Sequence, residues 1–153
     1  MLPRLAGGLL VVHVALAAIA VREDVSSVFS AGRAAAELLV AHDLDELPIV
    51  AEPDAYMTSV LGYLHQRTFY YPRGNRFGSF TRWDKARTDV ELSDEQLIAA
   101  ARDLGRENRS AVGIVIAHRL PPDLATGGDE IGCVSAELVP AESFCIYRLP
   151  PPS

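Results

Sequence analysis

The chain has 153 residues and a formal net charge of −6. Its acidity leaves no clustered basic face, which excludes nucleic acid as a partner. It has two cysteines and lacks C-x-x-C, H-E-x-x-H, a glycine-rich phosphate loop and G-x-S-x-G, so its motifs supply no metal centre, no cofactor and no catalytic residue.

In chain order, the first feature is an almost pure apolar run from Leu5 to Val21. It lies between Arg4 and Arg22, with His13 its only ionisable residue. A helix rises about 1.5 Å per residue, so this run spans about 25 Å, near the lower limit for crossing a hydrocarbon core of about 30 Å. A neutral imidazole does not veto insertion, and His13 reads as a passenger. Gly7, Gly8 and the alanines suit a retained transmembrane helix packed against other helices. The small residues Ala18 and Ala20 equally fit the A-x-A site of a cleavable signal peptide. Both readings place the rest of the chain outside the cytoplasm. The amino terminus and Arg4 precede the run, and Arg22, Glu23 and Asp24 carry a net negative charge after it. Residues 1–24 are therefore the membrane segment and its flank, 25–150 an extracytoplasmic domain, and 151–153 a tail. The alanine- and arginine-rich, lysine-poor composition suits a bacterium.

The domain opens with Ser30 as N-cap of a helix from Ala31 to His42, whose Ala34, Ala35, Leu38 and Leu39 form an apolar stripe. Leu47 to Ala51 reads as a buried strand. Pro53 suits the first position of a helix from about Asp54 to Leu64. Thr68 to Tyr71 has strand propensity, Pro72 to Arg76 is loop, and Phe77 to Asp84 reads equally as strand or ordered loop. Ser93 and Gln96 form a capping box that opens a helix to about Arg106. Ala111 to Ala117 is apolar throughout and predicts a central strand covered on both faces. Cys133 to Val139 and Ser143 to Leu149 read as a terminal antiparallel pair. The alternation predicts a small three-layer, Rossmann-like α/β domain with a mainly parallel sheet and a C-terminal antiparallel hairpin. A hairpin turning around residues 140–143 faces Cys145 to Glu137 and Cys133 to Leu149. That register argues against a disulfide, although an exported domain permits one.

In open parallel sheets, ligands gather beyond the carboxyl ends of the strands. That rule selects Glu52 and Asp54, then Tyr71, Arg73, Asn75 and Arg76, then His118 and Arg119. Residues 69–84 hold more than half of the chain's aromatic residues together with Arg73, Arg76 and Arg82. Rings that stack on sugar C–H faces, beside arginines that grip phosphate or carboxylate, are what a glycan or a phosphorylated head group requires. Asp54, Tyr71, Arg73, Asn75, Arg76, Trp83 and Asp84 are the ligand-binding candidates. The competing reading makes the aromatics core and pairs the arginines with Glu52, Asp84 or Asp89. Glu52 and Asp54 read more simply as helix-dipole partners than as an acid/base pair. Asn108, Arg109 and Ser110 fit a glycosylation sequon, a triplet that often arises by chance.

The run from Pro48 to Asp54 (PIVAEPD), then Gly62-Tyr63-Leu64, then FYYPRGNRFGSF over residues 69–80 with Trp83 and Asp84, carries a resemblance. It is similar to the C-terminal soluble domain of bacterial polytopic membrane proteins that resemble glycosyltransferases of the dolichyl-phosphate-mannose mannosyltransferase type. The resemblance implies that residues 5–21 are the last membrane helix and that a polyprenyl-phosphate sugar is the donor. The family's acidic catalytic residues lie in an early external loop, and no position here matches it. The chain would then be an accessory domain, or a fragment, that does not transfer sugar alone. Its partners would be the membrane, a glycan or polyprenyl-phosphate sugar, and transmembrane helices of the same or a partner chain. Two rival readings stand beside it: an interaction module without ligand, and a small exported hydrolase-like enzyme using Asp54 or His118.

Overall fold

A computed structural model describes residues 12–22, 29–65, 68–85, 87, 90–124 and 127–152. Residues 12–22 are helical (α1), and every one of them is exposed. Among the described residues no helix is long and apolar enough to cross a membrane. Residues 5–11 of the apolar run, and Asp89, lie outside them.

The elements that follow are α2 (Gly32–Ala41), β1 (Ile49–Glu52), α3 (Thr58–Leu61), β2 (Phe69–Tyr71), β3 (Arg76–Gly78), α4 (Asp94–Asn108), β4 (Val112–Ile116), β5 (Asp129–Val134) and β6 (Phe144–Leu149). The six strands form one sheet in the order β3-β2-β1-β4-β6-β5. β1 pairs parallel to β2 and β4, whereas β2–β3, β4–β6 and β5–β6 are antiparallel. The sheet is therefore mixed, not mainly parallel. The excess of antiparallel pairs comes from β3. The turn of Pro72 to Asn75 is too short for the crossover that a parallel neighbour needs, so the chain returns along β2.

The sheet is covered on both faces, as the apolar strands predict. Ile49, Ala51, Phe69, Val115 and Ile146 pack with Ala35, Ala36 and Leu39 of α2 and Val60 and Leu61 of α3. Val50, Val112, Ile114, Ile116 and Tyr147 pack on the other face with Leu97, Ile98, Ala101 and Leu104 of α4. Alternate residues of one strand thus feed two cores, and β4 is buried at every position because both sides are occupied. Each fully buried aliphatic side chain contributes about 1.5–3 kcal/mol.

Local chemistry explains the helix starts. The capping box forms as predicted: Gln96 N donates to Ser93 Oγ at 3.3 Å, and Ser93 N to Gln96 Oε1 at 2.9 Å. In α2 the cap is displaced. Ser30 Oγ accepts from Gly32 N at 3.1 Å, and the buried stripe moves to Gly32, Ala35, Ala36 and Leu39. Gly32 sets that position, because a Cβ there would lie 2.4 Å from Ser59 O of α3. The single helix expected from Asp54 to Leu64 is instead a 3-10 turn (Asp54–Tyr56) followed by the one-turn α3. Pro53 precedes the turn through a cis Glu52–Pro53 bond.

The C-terminal hairpin corrects the cysteine reading. Cys133 faces Cys145, and the two form a disulfide. The connection is not a tight turn. β5 ends at Val134, and residues 135–143 hold their own 3-10 turn over Pro140–Glu142. A register shift between Glu130 and Gly132, on the far side of the cysteine pair from the turn, offsets only Asp129 and Glu130.

Candidate functional site

β1 and β2 end side by side, and the residues just after them carry the charges. Asp54, in the first turn after β1, is buried and held by Arg87 in a two-pronged fork. Arg87 Nε reaches Oδ2 and its second terminal nitrogen reaches Oδ1, each at 2.9 Å. Both partners are buried, the setting in which a planar guanidinium matched to a carboxylate offsets much of the cost of desolvation. On its other side the Arg87 guanidinium lies 4.3 Å from the centre of the Trp83 ring. Trp83 itself is 74% exposed.

Two residues away the second pair is less complete. Arg73 meets Glu52 through one contact of 3.4 Å, and both are buried. Glu52 Oε2 has no hydrogen-bond partner among the described residues, and neither does the buried Tyr71 hydroxyl. Burial raises the Glu52 carboxyl from its ordinary 4.5 to about 7; Arg73 opposes this and Asp54 adds to it. Burial also pushes the Tyr71 hydroxyl upward, with Asp54 adding to the shift.

The outer part of the site is polar and aromatic. Asn75 takes a left-handed conformation (φ 46°) that closes the turn after β2, and its Oδ1 accepts from the Tyr70 hydroxyl at 2.7 Å. Arg76, opposite Tyr71 on β3, binds Asp84 at 3.0 Å and donates to Arg82 O at 3.3 Å. Arg82 also reaches Asp84, at 3.3 Å. These contacts fold residues 79–84 back beside the strand ends. Phe77 and Phe80 are exposed, and Tyr70 meets Phe77 edge-on.

The seven predicted residues therefore divide. Asp54, Tyr71 and Arg73 are interior, whereas Asn75, Arg76, Trp83 and Asp84 form the rim. The two sequence readings of residues 69–84 each hold in part: Phe69 and Tyr71 are core and Arg73, Arg76 and Arg82 are paired, yet Phe77, Phe80 and Trp83 face outward. Arg87 was not among the candidates, and nothing in its local sequence marks it as the partner of Asp54. Glu52 and Asp54 are bound by arginines and do not serve merely as dipole partners. His118 does not join the group; it bonds Asp94 at the start of α4 at 2.8 Å, and Arg119 bonds Glu130 at 2.9 Å. The sequon asparagine donates from Nδ2 to Leu104 O at 2.8 Å, which ties it to the end of α4.

Among the described residues no group of three His, Cys, Asp or Glu could hold a metal ion. A depression of about 380 Å³ lies near the end of α4, lined by Arg102, Arg106 and Pro151. Another of about 460 Å³ lies beside α2, at Val40 and Tyr63. Neither is lined by Glu52, Arg87 or any of the seven candidates. The arrangement can present a fixed aromatic plane and paired charges to a ligand, and it holds one carboxyl that titrates near neutrality. Comparison with protein-family models, curated proteins and solved structures finds no match.

Proposed function

We propose that the chain is a membrane-anchored, extracytoplasmic accessory domain of a polytopic glycosyltransferase-like protein of the dolichyl-phosphate-mannose mannosyltransferase type. It binds part of a glycan or polyprenyl-phosphate-linked substrate at the carboxyl edge of its sheet and does not catalyse transfer alone. The observation that carries this reading is the Trp83–Arg87–Asp54 stack. An exposed indole is held from behind by a buried ion pair, so its outer face is a pre-positioned platform for a sugar ring. Arg76 and Asp84 beside it offer hydrogen bonds to hydroxyl or phosphate oxygens. The Cys133–Cys145 disulfide suits an oxidising compartment, and the exposed residues 12–21, apolar but for His13, suit a membrane segment. The localisation that follows is the cytoplasmic membrane of a bacterium, with the domain facing the periplasm or exterior.

The test is titration of the full chain with a short-chain polyprenyl-phosphate hexose, followed by calorimetry. Trp83→Ala and Arg76→Ala should each weaken binding about tenfold or more while leaving thermal unfolding close to wild type. Unchanged binding in both variants overturns the site. The exposed Phe77 and Phe80 favour a second reading, an interaction surface for a partner chain, since aromatics beside arginine also make interface hot spots. A pull-down that depends on Phe80 but not on Trp83 would select it.

A further inference from the structure

We infer that the carboxyl edge of the sheet rests in the headgroup layer of the bilayer, with Trp83 as its interfacial anchor. The inference rests on the membrane-anchor reading above and adds an orientation to it.

The chain enters the domain at this edge. α2 runs back along the sheet into β1, so its first turn lies where β1 ends. Two contacts place it there. Ala31 N donates to Glu142 O at 3.1 Å, and Glu142 lies two residues before β6, whose Cys145 faces Ile116 at the end of β4. Gly32 abuts Ser59, just beyond Asp54. Residues 23–30 join α1 to this point, and fully stretched they reach no more than about 30 Å. A domain of this size has a radius of gyration of about 14 Å and so a diameter of about 35 Å. The connection is too short to wrap the domain and turn the opposite end toward the membrane. The near edge is the one that faces it.

The same edge carries large apolar side chains on three separate loops. Phe29, just before α2, is 56% exposed; Trp83 is 74% exposed; Leu138, in the loop between β5 and β6, is 53% exposed. None of these sits on a strand or helix, so none is left over from an amphipathic pattern. Indole is the side chain most at home at a membrane–water boundary, with its ring in the apolar layer and its N–H in the wet one. Arg82 beside it is largely exposed and has a stem long enough to place its head among phosphates. The net charge of −6 argues that apolar insertion, not attraction to anionic lipid, holds the edge down. A lipid-linked sugar would then meet the Trp83 platform at the depth where its phosphate lies.

Trp83 is the chain's single tryptophan, so its fluorescence reports on this edge alone. The full chain is reconstituted into phosphatidylcholine vesicles and floated. Expected are a blue-shifted emission, quenching by lipids brominated high on the acyl chain, and acrylamide quenching reduced several-fold. A second variant, Trp83→Phe with Arg106→Trp, moves the reporter to the opposite edge, beside Val112 at the start of β4 and Leu149 at the end of β6, where it should stay open to acrylamide and untouched by brominated lipid. Co-flotation with Trp83 still open to acrylamide, or with position 106 the one quenched by lipid, overturns the orientation and leaves the anchor standing. Failure to float overturns the anchor reading and the orientation with it.

Discussion

The α4 face of the sheet and the carboxyl edge of β1 and β2 are built on opposite principles. Under α4, Leu97, Ile98, Ala101 and Leu104 meet Val112, Ile114 and Ile116 with no charge between them. At the carboxyl edge four charged side chains are buried: Glu52 and Asp54 at the end of β1, Arg73 just after β2, and Arg87 brought in from farther along the chain. The first region needs only apolar volume of about the right shape, which many sequences supply. The second needs named partners, and its two pairs differ. Asp54–Arg87 is closed by two bonds, while Glu52–Arg73 has one long contact and an oxygen left over. Desolvating charge without satisfying it costs stability. A region that carries such a cost beside an exposed aromatic plane is where binding is to be sought.

The comparison is most sharply broken by removing one charge. Asp54→Ala leaves Arg87 buried without its fork and should cost about 3–5 kcal/mol in urea unfolding. Asp54→Leu combined with Arg87→Met should recover most of it, and a double variant as unstable as the single one would show that the pair is more than a packed unit. On the apolar side, Leu104→Ala should cost about 2–4 kcal/mol through transfer and cavity terms, with no pH dependence of its own.

Glu52→Gln tests the incomplete pair. The Glu52 carboxyl binds its proton more tightly folded, at about 7, than at its ordinary 4.5. Between these values the folded state holds more protons than the unfolded one. Wild-type stability from this group is therefore fully present below about 4.5 and is lost as pH rises through 7. Glu52→Gln should flatten that slope and be the more stable protein at pH 8, by about 1–3 kcal/mol. Parallel curves for the two proteins from pH 4.5 to 8 would contradict the assignment. The smallest effect belongs to the α4 start: Ser93→Ala should cost about 1 kcal/mol, read in thermal unfolding, and leave ligand binding unchanged.

Legibility followed the range of the interaction. The capping box of Ser93 and Gln96 spans three residues, and the apolar run of β4 spans five, so both can be read along the chain. The Arg87–Asp54 fork spans 33 residues and Arg73–Glu52 spans 21. No spacing rule links residues so far apart, and an arginine in a polar stretch looks like any solvated one. The hairpin failed for a related reason. Its register depends on where a nine-residue connection folds on itself, and that folding has no mark in the sequence.

By itself the sequence determined the alternation of elements, the strand buried on both faces and the α4 cap. Each of these is set by side-chain periodicity or by contacts within a few residues. Only the tertiary structure decided the mixed sheet, the Cys133–Cys145 pairing, which arginine meets which carboxylate, and which aromatics turn outward. Those depend on which distant segments become neighbours once the core closes. Burial then converts that neighbourhood into charge pairing, because a charge taken out of water must find its partner wherever the fold has put it.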